Sequence, residues 1–163
     1  MTSATWALVV GIDEYEHFTP LTGAARDAAA ATRWLLKVGV PKGQILLHAA
    51  PSAAAEAEIG ALDLPVRGCT QPEIETSFVE LAEHTGERLF VFLMGHGFYE
   101  PTEGRVFLTQ ESRRNHPANL GIEPYCRWLQ GVDFGLQVVI FDGCQNLPYT
   151  QHCLLYTSPS PRD

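Results

Sequence analysis

Four short apolar runs constrain the fold of this 163-residue chain more than any other feature. Each is rich in β-forming residues and is continuously apolar, which is typical of strands buried on both faces of a parallel sheet. The runs are Thr5–Gly11, Gln44–His48, Arg88–Met94 and Gln137–Phe141. Because helical patterns lie between them, the sequence predicts an α/β fold: a three-layer sandwich around a mostly parallel sheet with strand order 2-1-3-4.

Two segments carry clear helix signals. Segment Ala24–Val38 has apolar residues at the spacing of one helical face, and Gly39 supplies a stop. The apolar positions are Ala24, Ala28, Ala31, Leu35 and Val38. Thr70 and Glu73 form a capping-box pattern, which predicts a second helix with Ile74, Phe78, Leu81 and Ala82 on one face.

Three further segments have weaker patterns. The Ala-rich stretch Ala49–Cys69 is predicted to be a long loop or excursion. A short antiparallel pair is expected at Arg105–Thr109 and a brief helix at Pro124–Gln130. The helix is expected to turn three apolar side chains inward, those of Tyr125, Trp128 and Leu129.

Composition narrows the classes of function. Eleven basic residues against nineteen acidic residues give a net charge of −8, which disfavours a nucleic-acid binder and favours cationic partners. No apolar run approaches the roughly 20 residues of a membrane helix, and the N-terminus lacks a basic leader, so we predict a cytoplasmic location. The four cysteines, at positions 69, 126, 144 and 153, form no C-x-x-C pair, so a zinc ribbon is not supported.

The last segment, Cys153–Asp163, departs from the pattern of the rest. It reads CLLYTSPSPRD, has no periodicity, and resembles the translated end of a sequencing adapter. We therefore predict one domain over residues 1–152, incomplete at its C-terminus, and a non-native tail over residues 153–163.

Two residues that follow strands have the chemistry of a catalytic pair. His96 lies between two glycines directly after one buried strand, and Cys144 follows Asp-Gly directly after another. Parallel strands end at the same edge of a sheet, so the two side chains are expected to face each other, with the imidazole activating the thiol. The backbone N–H groups of Gly97 and Cys144 are candidates for an oxyanion hole.

Three segments together carry a family resemblance. VFLMGHG and VVIFDGCQN resemble the catalytic His-Gly and Asp-x-Cys segments of caspase-like cysteine peptidases, and the His-to-Cys spacing matches. ALVVGIDEY followed by LTGAARDAAAATRWLLKVGV resembles the opening strand and helix of metacaspases and bacterial paracaspase-like enzymes. The resemblance covers about residues 5–147 and implies a caspase-like topology whose last strands are missing here.

The resemblance also implies residue roles. His96 is then the general base and Cys144 the nucleophile, while Asp27 and Asp142 line the pocket for a substrate Arg or Lys. Local structure offers an alternative for both acids, since Asp27 suits the first turn of a helix and Asp142 suits a turn cap. The expected partner is a protein or peptide with Arg or Lys at the cleavage site.

Two other functions are alternatives to a cysteine endopeptidase that cleaves after Arg or Lys. A non-catalytic caspase-like interaction or regulatory module, and a small-molecule-binding domain in which Cys144 merely packs, both stay open. The polar cluster of Asp13, Glu14, Glu16 and His17 lacks a recurring ligand spacing, so we predict a solvated loop and no metal. No cofactor is predicted, and no motif decides calcium dependence.

Overall fold

A computed structural model describes residues 4–101, 104–113 and 118–143. Eight strands and four helices succeed one another along these ranges, with a 3₁₀ turn at Lys42–Gln44. They are β1 (Thr5–Ile12), α1 (Ala24–Lys37), β2 (Ile45–Ala50), α2 (Glu56–Gly60), β3 (Val66–Arg67), α3 (Gln71–Ala82), β4 (Gly86–Gly95), β5 (Gly97–Glu100), β6 (Gly104–Leu108), β7 (Asn119–Gly121), α4 (Ile122–Leu129) and β8 (Phe134–Gly143).

The central sheet has the order β3-β2-β1-β4-β8, and every pairing in it is parallel. Its four long strands are the four apolar runs, in the predicted order. Helices α1 and α2 pack on one face, while α3, α4 and the small antiparallel sheet β5-β6-β7 pack on the other. The predicted three-layer α/β architecture is therefore confirmed.

Helix α1 lies unusually close to the sheet. Four of its six buried residues are alanines, Ala24, Ala25, Ala28 and Ala29, which pack in one cluster with Ala7 and Val9 of β1. A Cβ atom on Gly11 would overlap the Cβ of Ala28 and lie 2.8 Å from the carbonyl oxygen of Ala24. The close approach therefore depends on glycine in the strand and alanine in the helix. Gly39, at φ 93°, follows the end of this helix as predicted.

Helix α3 begins as its capping box predicts. The Glu73 carboxylate accepts hydrogen bonds from the Thr70 backbone N–H at 3.0 Å and from the Thr70 hydroxyl. These bonds favour the charged form and hold the pKa of Glu73 below its ordinary value.

Three details differ from the sequence-based expectations. Segment 49–69 is not a plain loop, because it holds α2 and the two-residue strand β3, which extends the sheet. The Arg105–Thr109 strand belongs to a sheet of three strands rather than a pair. Trp128 does not point inward: it is 41 % exposed, since α4 buries its other face through Ile122 and Leu129.

A buried polar network joins β2, β3 and α3. His48 is fully buried, and its Nδ1–H donates to the carbonyl oxygen of Gly68 while Nε2 lies 2.7 Å from the Ser77 hydroxyl. Arg67 donates to the same hydroxyl at 2.8 Å and forms a two-pronged ion pair with Glu80. Burial, and then repulsion by Arg67, lower the pKa of His48.

Strand β8 forms one edge of the central sheet in the part of the chain that the structure describes. Leu136 and Ile140 are exposed along it. The predicted tail, residues 153–163, lies outside the described residues. None of the described helices is both long and apolar enough to cross a membrane.

Candidate active site

The carboxyl ends of β1, β4 and β8 meet at one edge of the sheet, where ligands of parallel sheets bind. His96 directly follows β4 and immediately precedes β5. It is 6 % exposed, so the small sheet and the loop after β1 enclose it. Residues 13–23 form the β1–α1 loop, which joins β1 to α1.

His96 is held at three points by this β1–α1 loop. Its backbone N–H donates to the Tyr15 hydroxyl at 2.7 Å, and its Nε2 lies 2.8 Å from the carbonyl oxygen of Thr19. Its ring packs against Tyr15 at 4.7 Å and against Phe18 at 6.2 Å between centroids. Nδ1 is buried and has no hydrogen-bond partner within the described ranges.

The glycines on either side of His96 are sterically required. A Cβ on Gly95 would lie 2.5 Å from the Tyr15 hydroxyl. A Cβ on Gly97 would lie 2.5 Å from the Phe141 ring and 2.8 Å from the carbonyl oxygen of Val106. Since real Cβ contacts are longer than this, larger residues at either position would displace the histidine or its supports.

The Gly97 N–H is directed away from β6. Leu108 N–H donates to the His96 carbonyl oxygen at 2.9 Å, and Gly97 is paired with Phe107. Hydrogen-bonded and non-hydrogen-bonded pairs alternate in an antiparallel ladder, so Gly97 and Phe107 form a non-hydrogen-bonded pair. The amide hydrogen of Gly97 therefore points outward from the small sheet.

Asp13 anchors the β1–α1 loop, and the expectation of a solvated acid is wrong for this residue. Its side chain is fully buried and accepts bonds from the Ala25 N–H at 3.2 Å and from the N–H and hydroxyl of Ser52 at 3.2 and 3.0 Å. An unpaired N–H in the first turn of a helix needs an acceptor, and Asp13 supplies it from outside the helix. Glu14, Glu16 and His17 are exposed as predicted, and the described residues contain no cluster of three or more metal-binding side chains.

Asp27 and Asp142 lie on the same side of the sheet, and both are exposed. Asp27 is in the first turn of α1. Asp142 lies in β8 directly opposite Met94 of β4, and Met94 packs among the alanines of α1. Because paired residues of parallel strands point to the same face, Asp142 also projects to the α1 side.

Cys144 lies outside the described residues. The residue before it, Gly143, is paired with Gly95, the residue before His96. Of the cysteines that are described, Cys69 is fully buried and Cys126 is half-buried. Burial raises the pKa of both thiols, so neither has the character of an activated nucleophile.

A comparison with protein families identifies the kind of domain in which His96 and the end of β8 lie at one edge of the sheet. The chain matches the family model described as a caspase domain, a peptidase family, over residues 4–152. The chain belongs to the caspase-domain family. Its caspase domain has the parallel sheet and flanking helices expected from the sequence resemblance. A search of curated proteins finds no match.

Membership in the caspase-domain family implies a cysteine peptidase, a hydrolase that acts on proteins. Sequence reasoning about this caspase domain missed Tyr15 and the Thr19 carbonyl, both of which contact His96. For Tyr15, the one available signal in the sequence was an aromatic residue among charged residues directly after a strand. A backbone carbonyl has no signature in the sequence, because every residue has one.

Proposed function

We propose that the chain is a cysteine endopeptidase that uses His96 as general base and Cys144 as nucleophile, and that it cleaves after Arg or Lys. The observation that carries this proposal is the register of β4 and β8, which pairs Gly95 with Gly143. His96 directly follows Gly95 in the chain, and Cys144 directly follows Gly143. Because consecutive Cα atoms are about 3.8 Å apart, we expect His96 and Cys144 to lie near each other.

The hydrogen bonding of His96 supports its role as a base. A carbonyl oxygen can only accept, so the contact with Thr19 assigns the hydrogen of the neutral imidazole to Nε2. Nδ1 then has a lone pair, and it is the atom left without a partner in the described part of the molecule. A neutral imidazole with one nitrogen held and the other free is what thiol activation requires.

The proposed reaction then runs in two stages. Nδ1 of His96 takes the proton from the Cys144 Sγ, and the thiolate attacks the carbonyl carbon of the scissile peptide bond. The carbonyl oxygen becomes negatively charged, and the outward N–H of Gly97, with the N–H of Cys144, stabilises it. The imidazolium returns its proton to the leaving amine, and water attacks the resulting thioester to release the acid and regenerate the thiol.

The specificity proposal rests on charge. Asp27 and Asp142 project from the same side of the sheet at the edge where His96 lies, and both are accessible to a substrate side chain. Two carboxylates attract a guanidinium or ammonium group and repel a carboxylate. Arg or Lys is therefore the favoured side chain at the cleaved bond.

Covalent labelling tests the proposal without requiring many turnovers. Peptidyl chloromethyl ketones ending in Arg, Lys, Asp or Ala are incubated with the chain, and the modified cysteine is located by mass spectrometry. We expect the Arg and Lys reagents to alkylate Cys144 and to leave Cys69 and Cys126 unmodified. A fluorogenic peptide panel with the same four residues measures cleavage.

Matched variants decide between outcomes. Cys144→Ala should abolish labelling and cleavage, whereas Cys69→Ala and Cys126→Ala should retain both. Full activity in Cys144→Ala would overturn the dyad, and faster reaction of the Asp reagent would overturn the pocket assignment. A folded chain that no reagent labels would instead support a non-catalytic caspase-like module.

A further inference from the structure

We infer that Tyr15 is a positioning residue for His96, and that the site requires its hydroxyl group as well as its ring. This inference deepens the proposed peptidase function and rests on it for its catalytic meaning. Tyr15 is 8 % exposed, although it lies in the β1–α1 loop between Glu14 and Glu16, both of which are exposed. A buried tyrosine in such a loop needs a partner for its hydroxyl group.

The first contact fixes the backbone of His96. In a hydrogen-bonded antiparallel pair each residue donates to the other, and Leu108 does donate its N–H to the His96 carbonyl oxygen. The N–H of His96 donates to the Tyr15 hydroxyl oxygen instead, at 2.7 Å. At His96, which lies between β4 and β5, the Tyr15 hydroxyl therefore replaces the backbone acceptor that a partner strand would supply.

The second contact limits rotation of the imidazole. The rings of Tyr15 and His96 lie 4.7 Å apart at an interplanar angle of 46°. On the same loop, the Thr19 carbonyl oxygen accepts from Nε2. One loop thus determines the backbone direction, the ring plane and the tautomer of His96.

The surroundings are built for this hydroxyl group. Gly95 has no side chain at the point where a Cβ would come within 2.5 Å of it. The loop is also tied down near Tyr15, because Glu16 N–H donates to the Gln110 carbonyl oxygen at 3.0 Å and Asp13 binds the start of α1. Burial raises the pKa of Tyr15, so the hydroxyl stays neutral and acts as an acceptor without adding charge beside the base.

The test compares Tyr15→Phe with Tyr125→Phe. Both substitutions keep the aromatic ring and remove a hydroxyl that is hydrogen-bonded in the wild type. The Tyr125 hydroxyl, on α4, donates to the Glu75 carboxylate of α3 at 3.1 Å. The first measurements need no peptidase activity: amide hydrogen exchange at His96 and the ¹⁵N chemical shifts of its imidazole. In Tyr15→Phe we expect exchange to accelerate roughly 10-fold and the ¹⁵N shifts to move away from the Nε2–H tautomer, whereas Tyr125→Phe should change neither.

Kinetics supply the catalytic readout. A misplaced base slows the chemical step more than binding, so Tyr15→Phe should lower kcat about 10–100-fold with little change in KM. Tyr125→Phe should stay within about twofold of the wild type. Gly95→Ala, whose Cβ would come within 2.5 Å of the Tyr15 hydroxyl, should also change the His96 shifts. The wild type supplies a test that needs no variant: its His96 amide should exchange slowly, and fast wild-type exchange would overturn the proposal even if Tyr15→Phe does not fold.

The two hypotheses fail in different ways. Wild-type exchange and ¹⁵N shifts at His96 in Tyr15→Phe would overturn the positioning role, whatever the effect on stability. Altered shifts in a chain that shows no thiol-dependent cleavage would support the positioning of His96 and would contradict the peptidase proposal.

Discussion

The Nε2 atom of His96 lies 2.8 Å from the carbonyl oxygen of Thr19, a residue 77 positions earlier in the chain. This pair makes Nε2 the protonated nitrogen of the neutral ring and leaves Nδ1 available for the proposed role of base. The carbonyl belongs to a loop that Asp13 fastens to α1 and to Ser52. The chemistry proposed for one strand end therefore depends on how well the neighbouring strand end is held.

Replacing the base tests this relationship directly. His96→Gln retains an N–H donor for the Thr19 carbonyl but has no basic nitrogen, so we expect cleavage of Arg peptides to fall about 10²–10⁴-fold. The measurement is kcat/KM with a fluorogenic peptide. His84→Gln, in a histidine that stacks on Trp6 instead, serves as the control and should be near wild type. An undiminished rate in His96→Gln would exclude His96 as the base.

The pocket assignment predicts a charge-dependent loss of specificity. Charge-assisted hydrogen bonds contribute roughly 1.5–3 kcal/mol, so Asp27→Asn or Asp142→Asn should each lower kcat/KM for Arg substrates about 10–100-fold. Ala substrates should be affected much less. Asp133→Asn, at another exposed carboxylate, is the control and should leave the ratio of Arg to Ala cleavage unchanged. An equal loss for both substrates would mean that the two acids act on folding rather than on recognition.

Gly97→Ala should be harmful for steric reasons. The new Cβ would meet the Phe141 ring at 2.5 Å and the Val106 carbonyl oxygen at 2.8 Å, and overpacking of this kind costs about 1–3 kcal/mol of unfolding free energy. Denaturant unfolding measures the loss. Gly43→Ala is the matched control, because its new Cβ would meet no atom within 4 Å beyond the local backbone of Gly43. Equal stability of the two variants would show that Phe141 can move aside.

The buried His48 predicts a loss of stability on mild acidification. Its pKa is lowered in the folded protein, so the folded state binds a proton less readily than the unfolded chain. The contribution of His48 is therefore complete above its ordinary pKa near 6.5 and declines as pH falls below it. The groups facing the ring are Arg67, Glu73 and Glu80, with the Ser77 hydroxyl and the Gly68 carbonyl as direct partners.

The measurement is the unfolding free energy between pH 7.5 and 5, above the range where the lowered carboxyl pKa values of Glu73 and Glu80 contribute. The wild type should lose at most about 1.4 kcal/mol per pH unit from this single site. His48→Gln should be less stable at pH 7.5 but show a flatter slope. His17→Gln, at an exposed loop position, should keep the wild-type slope. An unchanged slope in His48→Gln would refute the assignment.

The sequence predicted the four long strands well because each is a short, continuous apolar run rich in β-forming residues. Strands β1 and β2 are almost wholly buried and β4 is buried in its second half, whereas β8 is an edge strand with Leu136 and Ile140 exposed, so its prediction depended on composition rather than on burial. Strand β3 was not predictable in this way, since it consists of Val66 and Arg67 alone and depends on pairing with β2 rather than on its own composition. Asp13 was misjudged because an acid that caps a distant helix and an acid in a solvated loop have the same local sequence. Tyr15 and Thr19 act through a hydroxyl and a carbonyl whose partner, His96, is more than 70 residues away, and local patterns contain no information at that range.

The close packing of α1 against Gly11 has a consequence for which substitutions the domain tolerates in evolution and in engineering. The β1–α1 loop joins β1 to α1, so the gap between that strand and that helix determines the positions of the Thr19 carbonyl and the Tyr15 hydroxyl, both of which contact His96. The gap is set by the missing methyl group on Gly11, whose place faces the Cβ of Ala28 and the backbone carbonyl oxygen of Ala24. A mutational scan scored by peptide cleavage would consequently mark Gly11 and Ala28 as intolerant of larger side chains, although neither belongs to the proposed catalytic pair. Homologues that enlarge one of the two would need a compensating change in the loop, and both changes would have to be transferred together into any designed variant.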